Sequence, residues 1–348
     1  MSIPLFLAHQ FDKEKITVLA GDVGGTKTNL GIFSFENKQM MLLANASYAS
    51  DKFISTSDLI HHFLQESNQP MPQKICLGVA GPVINDEVVF TNIKWKINAG
   101  ELQQQTKTEQ VFLLNDLHAN AYGLAGLTEK DFVTITDGKQ KLSGNMAIIA
   151  PGTGLGEAGL FWDGTRYHPF PTEGGHCDFG VLNDDDILLY QFLRKKSDFI
   201  SWELVASGQA IHNLFLFLRD VKNMNEPSWL AEKLSATAVD PLAIISEAAM
   251  EETSEICIAT MKLFARYVAR AACNLSLKMK AVGGLFISGG IPPKNLKYFQ
   301  SKDFYNTFIQ CDRMQDLVES IPVKIIMNDK TPLIGAAFYA AYGEAKNN

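Results

Sequence analysis

The side chains best equipped for catalysis fall into two groups. Asn115 and Asp116 stand together in QVFLLNDLHANAYGLAGL, where an apolar strand pattern passes into a helix. Farther along, FPTEGGHCDFG carries Glu173 and His176 on either side of two glycines, which let the loop fold back so that both side chains converge on one small polar object. ISWELVASGQAI adds Glu203, followed by Ser207 and Gly208. Carboxylates and amides in such company accept hydrogen bonds from donors such as sugar hydroxyls. Each residue also has a plainer reading: Glu173 and His176 as scaffolding of their loop, and Glu203 on a solvated helix face.

A second kind of chemistry resides in glycine-rich turns. GDVGGTKTNLGIF fits the P-loop pattern at Gly21, Lys27 and Thr28 but has Thr26 where the second glycine belongs. A P-loop must run from a strand into a helix, whose first amides hold phosphate. Here the exit TKTNLGIFSF reads as a strand, with Leu30 and Ile32 alternating and Phe33 or Phe35 extending the set. The entry KITVLAGD is a β-branched run, so Val23, Gly24, Gly25 and Thr26 become the tight turn of a hairpin. Glycines there supply positive φ and leave backbone N–H groups bare for an anion. Asp22 at the strand end is placed to hold Mg²⁺, directly or through water. Lys27 either leans toward the phosphates or is a solvated strand residue. An ordinary hairpin with a solvated aspartate is the competing description.

MAIIAPGTGLGEAGLFWDG repeats the strand, glycine turn and strand with Gly152, Thr153 and Gly154. The echo suggests an internal duplication, two α/β domains each offering a phosphate hairpin toward a shared cleft; chance likeness of two glycine turns is the alternative. GGLFISGGIPP ends a third strand at Gly289 and Gly290, where bare backbone can approach a flat ring such as adenine.

These turns need a scaffold, and the composition supplies one. With 348 residues, 46% of them hydrophobic, the chain is long enough for two domains with proper cores. A formal net charge of −7 with no basic stripe argues against nucleic acid. No apolar run approaches the ~20 residues of a membrane span, and residues 1–15 lack the marks of a signal peptide, so a cytoplasmic enzyme away from membranes is expected. The five cysteines Cys76, Cys177, Cys257, Cys273 and Cys311 form no C-x₂-C pair, against a disulfide framework or a structural zinc. Cys177 is the one to watch, beside His176 in a glycine-rich loop. Strand and helix patterns alternate throughout: QMMLLANASYA as a strand, STSDLIHHFLQESN as a capped helix, KICLGVAGPV as a buried strand. Ile256, Leu263, Phe264, Tyr267, Val268, Ala271 and Leu275 recur at helical spacing and mark a long core helix, and TPLIGAAFYAAYGEAKNN reads as a closing helix packed through small residues.

Taken in order, these segments resemble the two-domain actin-like ATPase (ribonuclease H-like) fold, and within it the bacterial glucokinases of the type lacking zinc. The resemblance runs from residue 16 to the C-terminus through GDVGGTKT, LLNDLHA, APGTGLGEAGL, EGGHCDFG, WELVASG, GGLFISGGI and DKTPLIGAA. It implies ATP-dependent phosphorylation of glucose at the 6-hydroxyl, with Asp116 as general base and Asn115, Glu173, His176 and Glu203 on the glucose hydroxyls. Thr91, Asn92 and Trp95 in TNIKW resemble a strip beside the sugar. Gly21 to Lys27, Gly152 to Gly154 and Gly289–Gly290 would hold ATP, with Mg²⁺ at Asp22. The related repressor and sugar kinase group carries a Cys-rich zinc loop where this chain has CDFGVLNDDDILLYQF, so no structural zinc is expected.

The resemblance further implies a small α/β domain of residues 1–126 and 333–348, a large one of residues 127–332, and a homodimer. Two rival functions stay open. One is a kinase for fructose, mannose or an N-acetylated hexosamine. The other is a non-catalytic sugar sensor or repressor on the same fold, which would want a helix-turn-helix segment that residues 1–15 are too short to supply.

Overall fold

The computed structural model describes residues 3–5, 15–36, 39–90, 93, 95–140, 142–236 and 239–342. Their contacts gather into two compact units. The first comprises the described residues up to Asp131, Leu160–Pro171 and those from Asn328 onward; the second comprises Phe132–Gly159 and Thr172–Met327.

In the first unit, β1 (Ile16–Val23) and β2 (Lys27–Glu36) form an antiparallel hairpin, and β3 (Gln39–Ala49) extends the meander. Helix α1 (Thr56–Glu66) starts at Ser55, whose hydroxyl accepts from the Asp58 N–H at 3.1 Å. The chain then returns as β4 (Lys74–Val79), parallel to β1. After a ribbon of β5 (Glu87–Val89) and β6 (Lys96–Asn98) comes α2 (Ala99–Thr106). Strand β7 (Gln110–Asn115) runs parallel to β4 and passes directly into α3 (Asp116–Gly123). The sheet order is β3-β2-β1-β4-β7. Because β1, β4 and β7 are parallel, Asp22, Val79 and Asn115 all come to the same carboxyl-end edge.

Strand β2 departs from the expected alternation. It is buried on both faces from Leu30 to Phe35. Leu30 and Ile32 join a core with Leu59, Phe63 and Leu77, whereas Phe33 and Phe35 join a second core with Val18 and Leu114. A register shift between Ile32 and Phe33 lies where the apolar set changes face. Trp95 also differs from expectation. It is only 5% exposed, packs within the first core and donates Nε1–H to the Phe53 carbonyl at 3.2 Å. It is a core residue held by a satisfied indole. Thr91 and Asn92 lie outside the described residues.

The second sheet repeats the plan. Strands β8 (Phe132–Thr136), β9 (Met146–Pro151), β10 (Leu155–Trp162) and β11 (Tyr167–Thr172) lead into α4 (Asp184–Arg194), α5 (Glu203–Ala206), α6 (Gly208–Asp220), α7 (Ser228–Ser235), α8 (Pro241–Met250) and α9 (Glu255–Met279). There follow β12 (Gly284–Ile287), α10 (Ile291–Lys294), α11 (Leu296–Phe299), α12 (Lys302–Ile309), α13 (Gln315–Glu319) and β13 (Val323–Ile326). The order β11-β10-β9-β12-β13-β8 matches that of the first sheet strand for strand, with β8 added antiparallel to β13. Helix α9 carries the expected stripe: Ile256, Phe264, Tyr267, Val268, Ala271 and Leu275 are buried against the sheet's core and Leu263 packs at its margin. Full burial of a side chain such as Phe264 contributes roughly 1.5–3 kcal/mol.

Helix α14 (Thr331–Tyr342) returns the chain to the first unit and lies on α3 and β1. The approach is very close. A Cβ on Gly335 would collide with the Ala119 carbonyl and the Gly123 nitrogen, so glycine alone lets α14 sit against the helix that starts at Asp116.

Candidate active site

The first turn, Val23 to Lys27, joins β1 to β2 and so enters a strand, as its β-branched exit requires. Two expectations for it are corrected. Neither Gly24 nor Gly25 adopts the left-handed backbone, and the Gly24 N–H is engaged, donating to the Lys27 carbonyl at 3.0 Å. The glycine is needed for room, because a Cβ at Gly24 would stand 3.0 Å from that same carbonyl. Ser50, which sequence reasoning missed, fastens the turn from behind. Its hydroxyl donates to the Gly24 carbonyl at 2.8 Å and its N–H to the Thr26 carbonyl at 3.0 Å. Nothing in the local sequence of Ser50 signals this role, because it depends on β3 lying beside β2.

Asp22 ends β1 opposite Asn29, whose amide donates to Asp22 Oδ2 at 3.1 Å. Burial lifts the carboxyl above its ordinary range, while the Asn29 bond and the positive charge of Lys27 pull it back. Lys27 itself is exposed. Among the described residues no three His, Cys, Asp or Glu side chains are placed to hold a metal ion together. Asp22 is a single partly buried carboxylate of the kind that would hold a nucleotide-borne Mg²⁺ together with water and phosphate oxygens.

At the end of β7, Asn115 Oδ1 accepts from the N–H groups of Leu117 at 2.9 Å and His118 at 3.3 Å, capping α3. Its amide nitrogen donates to the Gly81 carbonyl at 3.3 Å. Asp116 Oδ1 accepts from the Leu117 N–H at 2.8 Å, which fixes the carboxylate at the helix's positive end. Gly78 of β4 lies beneath, where a Cβ would be 3.9 Å from Asp116 Cα. Asp22, Asn115 and Asp116 therefore share one edge of the first sheet. His118 donates Nε2–H to the Pro169 carbonyl at 3.0 Å, and burial pushes its pKa down to about 4, so it is neutral at physiological pH.

In the second unit, Gly152 to Gly154 form the β9–β10 turn, with the Gly152 N–H donating to the Gly154 carbonyl at 2.9 Å. Gly208, the first residue of α6, donates to the Gly152 carbonyl at 2.7 Å. Glu203, the first residue of α5, is half-buried, and its Oε2 accepts from the Leu155 N–H at 2.9 Å. It is thus joined to the glycine turn and does not stand on a solvated face. Glu173 and His176 are both exposed on a tight turn over Gly174–His176, with the His176 N–H donating to the Glu173 carbonyl at 3.1 Å. The turn lies directly on β10, where a Cβ on Gly175 would collide with the Leu155 carbonyl. Leu155 therefore meets Glu203 through its N–H and the turn through its carbonyl. Cys177, next in line, is exposed.

The same unit holds a cavity of about 1100 Å³ lined by Gly152, Thr153, Gly208, His212, Gly290 and Asn295, with α8 contributing Leu242, Ser246 and Glu247. It is large enough for a nucleoside. Its polar wall is pre-satisfied: Ser246 donates to Asn295 Oδ1 at 2.9 Å, and Asn295 donates to the Ile291 carbonyl at 3.0 Å. Burial, aided by the charges of Lys196 and Arg219, holds His212 below the usual histidine range. Gly290 lines the cavity, but Gly289 does not. With φ of 89° and a would-be Cβ 2.6 Å from the Pro151 carbonyl, Gly289 is there for close backbone packing. The α8 lining was not legible in the sequence, because it depends on α8 packing beside the Gly152 turn and α10.

Two sheets of matched strand order, with a glycine-rich turn between β1 and β2 in one and between β9 and β10 in the other, define the actin-like ATPase fold of the sugar kinases. The Glucokinase family model matches residues 19–342. The chain is 38% identical over 336 residues to a glucokinase of Nostoc punctiforme, an alignment covering 93% of this chain and 98% of that one. A solved glucokinase from an Antarctic psychrotroph is 31% identical with a TM-score of 0.79, covering 95% of this chain and 99% of the other. A ROK family glucokinase from Streptomyces griseus in complex with glucose and AMPPNP, 19% identical, shares the fold with a TM-score of 0.64 over 94% and 100% of the two chains. The chain belongs to the glucokinase family.

Proposed function

We propose that this chain transfers the γ-phosphoryl group of ATP to the 6-hydroxyl of glucose with Asp116 as general base. As a member of its family it is an enzyme that phosphorylates glucose with ATP. The assignment of individual residues rests chiefly on one observation: Asp116 opens α3 at the carboxyl edge of the sheet that also presents Asp22. Ligands of open α/β sheets gather at that edge.

In this reading glucose is held by Asn115, Asp116, Glu173, His176 and Glu203, with Thr91 and Asn92 beside it. ATP lies along the turns Gly21–Lys27 and Gly152–Gly154, its adenosine in the cavity at Gly290. Asp22 would hold the Mg²⁺ that, when bound, neutralises charge on the β- and γ-phosphates. Transfer forms a bond from O6 to the γ-phosphorus and breaks the bond to the β–γ bridging oxygen, leaving ADP. Asp116 takes the hydroxyl proton. A carboxylate is a weak base toward an alcohol, so orienting O6 in line is its larger task and proton transfer comes late. Water is the competing acceptor, and sugar-dependent assembly of the two groups of ligands would suppress hydrolysis of ATP.

The domain reading of residues 1–126 with 333–348 against residues 127–332 remains part of the proposal, as does a homodimer, which light scattering tests. In the second unit Val181, Leu182, Ile187 and Leu188 form an exposed apolar run leading into α4. No helix among the described residues is long and apolar enough to cross a membrane, and cytoplasmic residence is proposed from the family. The deciding experiment is a hexose panel with coupled ADP detection on the unaltered chain and Asp116→Asn. Glucose should be the preferred acceptor. The variant should bind glucose within about tenfold of the unaltered chain yet lose at least ~10²-fold in kcat. Near-normal turnover removes Asp116 from the role of base, and a preference for fructose, mannose or an N-acetylated hexosamine replaces glucose as substrate.

A further inference from the structure

Glu157 lies on β10, two residues beyond Leu155, and is 5% exposed. Such deep burial of a carboxyl is costly unless something is gained from it. Its position accounts for the shape of the loop above. Oε2 occupies the space a Cβ would need on Gly174, the first residue of the Gly174–His176 turn. The backbone makes the same connection. Thr172 Oγ1 donates to the Glu157 carbonyl at 3.2 Å and is in turn the acceptor of the Gly174 N–H at 3.3 Å. The turn carrying Glu173 and His176 is thus seated on the Glu157 side chain and tied to its main chain.

We propose that Glu157 is a positioning residue for the sugar: its uncharged carboxyl, packed beneath Gly174, holds the Glu173–His176 turn in the form that takes the hexose, and its ionisation loosens that turn. The proposal rests on the assignment of Glu173 and His176 to glucose. Burial lifts the Glu157 carboxyl to about 7, against the opposing pull of Lys278. Glu173 and His176 stand on the turn that it supports, and Lys278 is the charge that acts on the carboxyl itself. The Lys278 charge only partly offsets the cost of burial, and a carboxylate drawing water to itself cannot stay packed under a glycine Cα. The sugar-competent fraction should therefore fall as pH rises through neutrality, with the apparent affinity for glucose falling in proportion.

Steady-state kinetics from about pH 6 to 9 test this on the unaltered chain, Glu157→Gln and Glu157→Met. Gln reproduces the shape of the neutral acid and Met keeps its length, so if either fails to fold the other decides. KM for glucose in the unaltered chain should rise roughly 20-fold between about pH 6.5 and 8.5 with kcat little changed. Both variants should flatten that rise while following the unaltered chain in KM for ATP. Every group other than Glu157 is common to all three proteins, so its pH dependence cancels in the comparison. A flat profile in the unaltered chain, or an equal rise in a folded variant, overturns the proposal. Glu173→Gln in the same series separates the two failures. If its KM for glucose matches the unaltered chain at every pH, the sugar assignment is wrong. If that KM is raised while Glu157→Gln keeps the full pH rise, only the role of Glu157 is rejected.

Discussion

The N–H of Leu155 donates to Glu203 Oε2 at 2.9 Å, so the acidic group assigned to the sugar also closes the glycine turn assigned to phosphate. The contact is tight, since a Cβ on Gly154 would collide with the same oxygen. Loss of Glu203 should then be felt by both substrates. Glu203→Ala is expected to raise KM for glucose and for ATP, each by roughly tenfold, because it leaves a buried N–H unpaired and frees the turn. Glu203→Gln keeps an acceptor for Leu155 and should affect glucose alone. Initial-rate measurements with each substrate varied decide this, and an unchanged KM for ATP in Glu203→Ala would separate the two roles.

The cavity at Gly290 allows the nucleotide reading to be tested without harm to the fold. A Cβ at Gly290 meets nothing within 4 Å, so Gly290→Ala should keep its stability within about 0.5 kcal/mol. If adenosine lies there, the added methyl should raise KM for ATP several-fold and leave KM for glucose alone. Thermal melting and initial rates check the two halves of this expectation.

Gly335 governs the seat of α3 from a distance. Gly335→Ala drives a methyl into the Ala119 carbonyl, and the forced shift should cost about 1–3 kcal/mol of stability. Because α3 begins at Asp116, kcat should fall in the folded fraction as well. Denaturant unfolding, paired with kcat corrected for active fraction, is the measurement; a stability loss with full turnover would show that α3 tolerates the displacement.

Asp22 should make nucleotide use sensitive to acid. Its folded pKa is raised by burial, so if Asp22 holds Mg²⁺ as proposed, the ionised form it needs is lost at a higher pH than for an ordinary aspartate. KM for MgATP is expected to rise as pH falls through the weakly acidic range. Asp22→Asn, already neutral, should lose that dependence and require roughly tenfold more Mg²⁺ for half-maximal rate. Magnesium titrations at several pH values test both points.

Glu157 makes an independent prediction about stability. Its carboxyl is raised from 4.5 to about 7 on folding, so the folded state keeps a proton that the unfolded chain releases. Its contribution is fully present below the unfolded value and is lost as pH rises through the folded one, on the order of 3 kcal/mol in all. Glu157→Gln should abolish that slope and be the more stable protein at about pH 8. Urea unfolding of both proteins on either side of neutrality is the check.

Some of this architecture is local and therefore readable from residue order. The exit TKTNLGIFSF is β-branched and aromatic, which excludes a helix after the first glycine turn, and β2 follows. The pass from strand to helix at Asn115 and Asp116 is read from the end of the apolar run, and β7 gives way to α3 there. The stripe on α9 is periodic enough to identify a core helix. Other features failed to register because no single segment contains them. Ser50 supports Gly24 only because β3 pairs with β2, and Trp95 is core because Phe53 waits to accept its indole N–H.

Backbone preference and short-range spacing act within a few residues, so the order of amino acids was enough to set the strands, caps, turns and family of this chain. Which glycine faces solvent and which faces a carbonyl, how far a buried acid is lifted, and what lines the cavity depend on groups brought together across long stretches of chain. Gly174 and Glu157 illustrate the difference. In sequence they are a loop glycine and an unremarked strand acid, and only the packing of one onto the other turns them into a seat for the turn that carries Glu173 and His176.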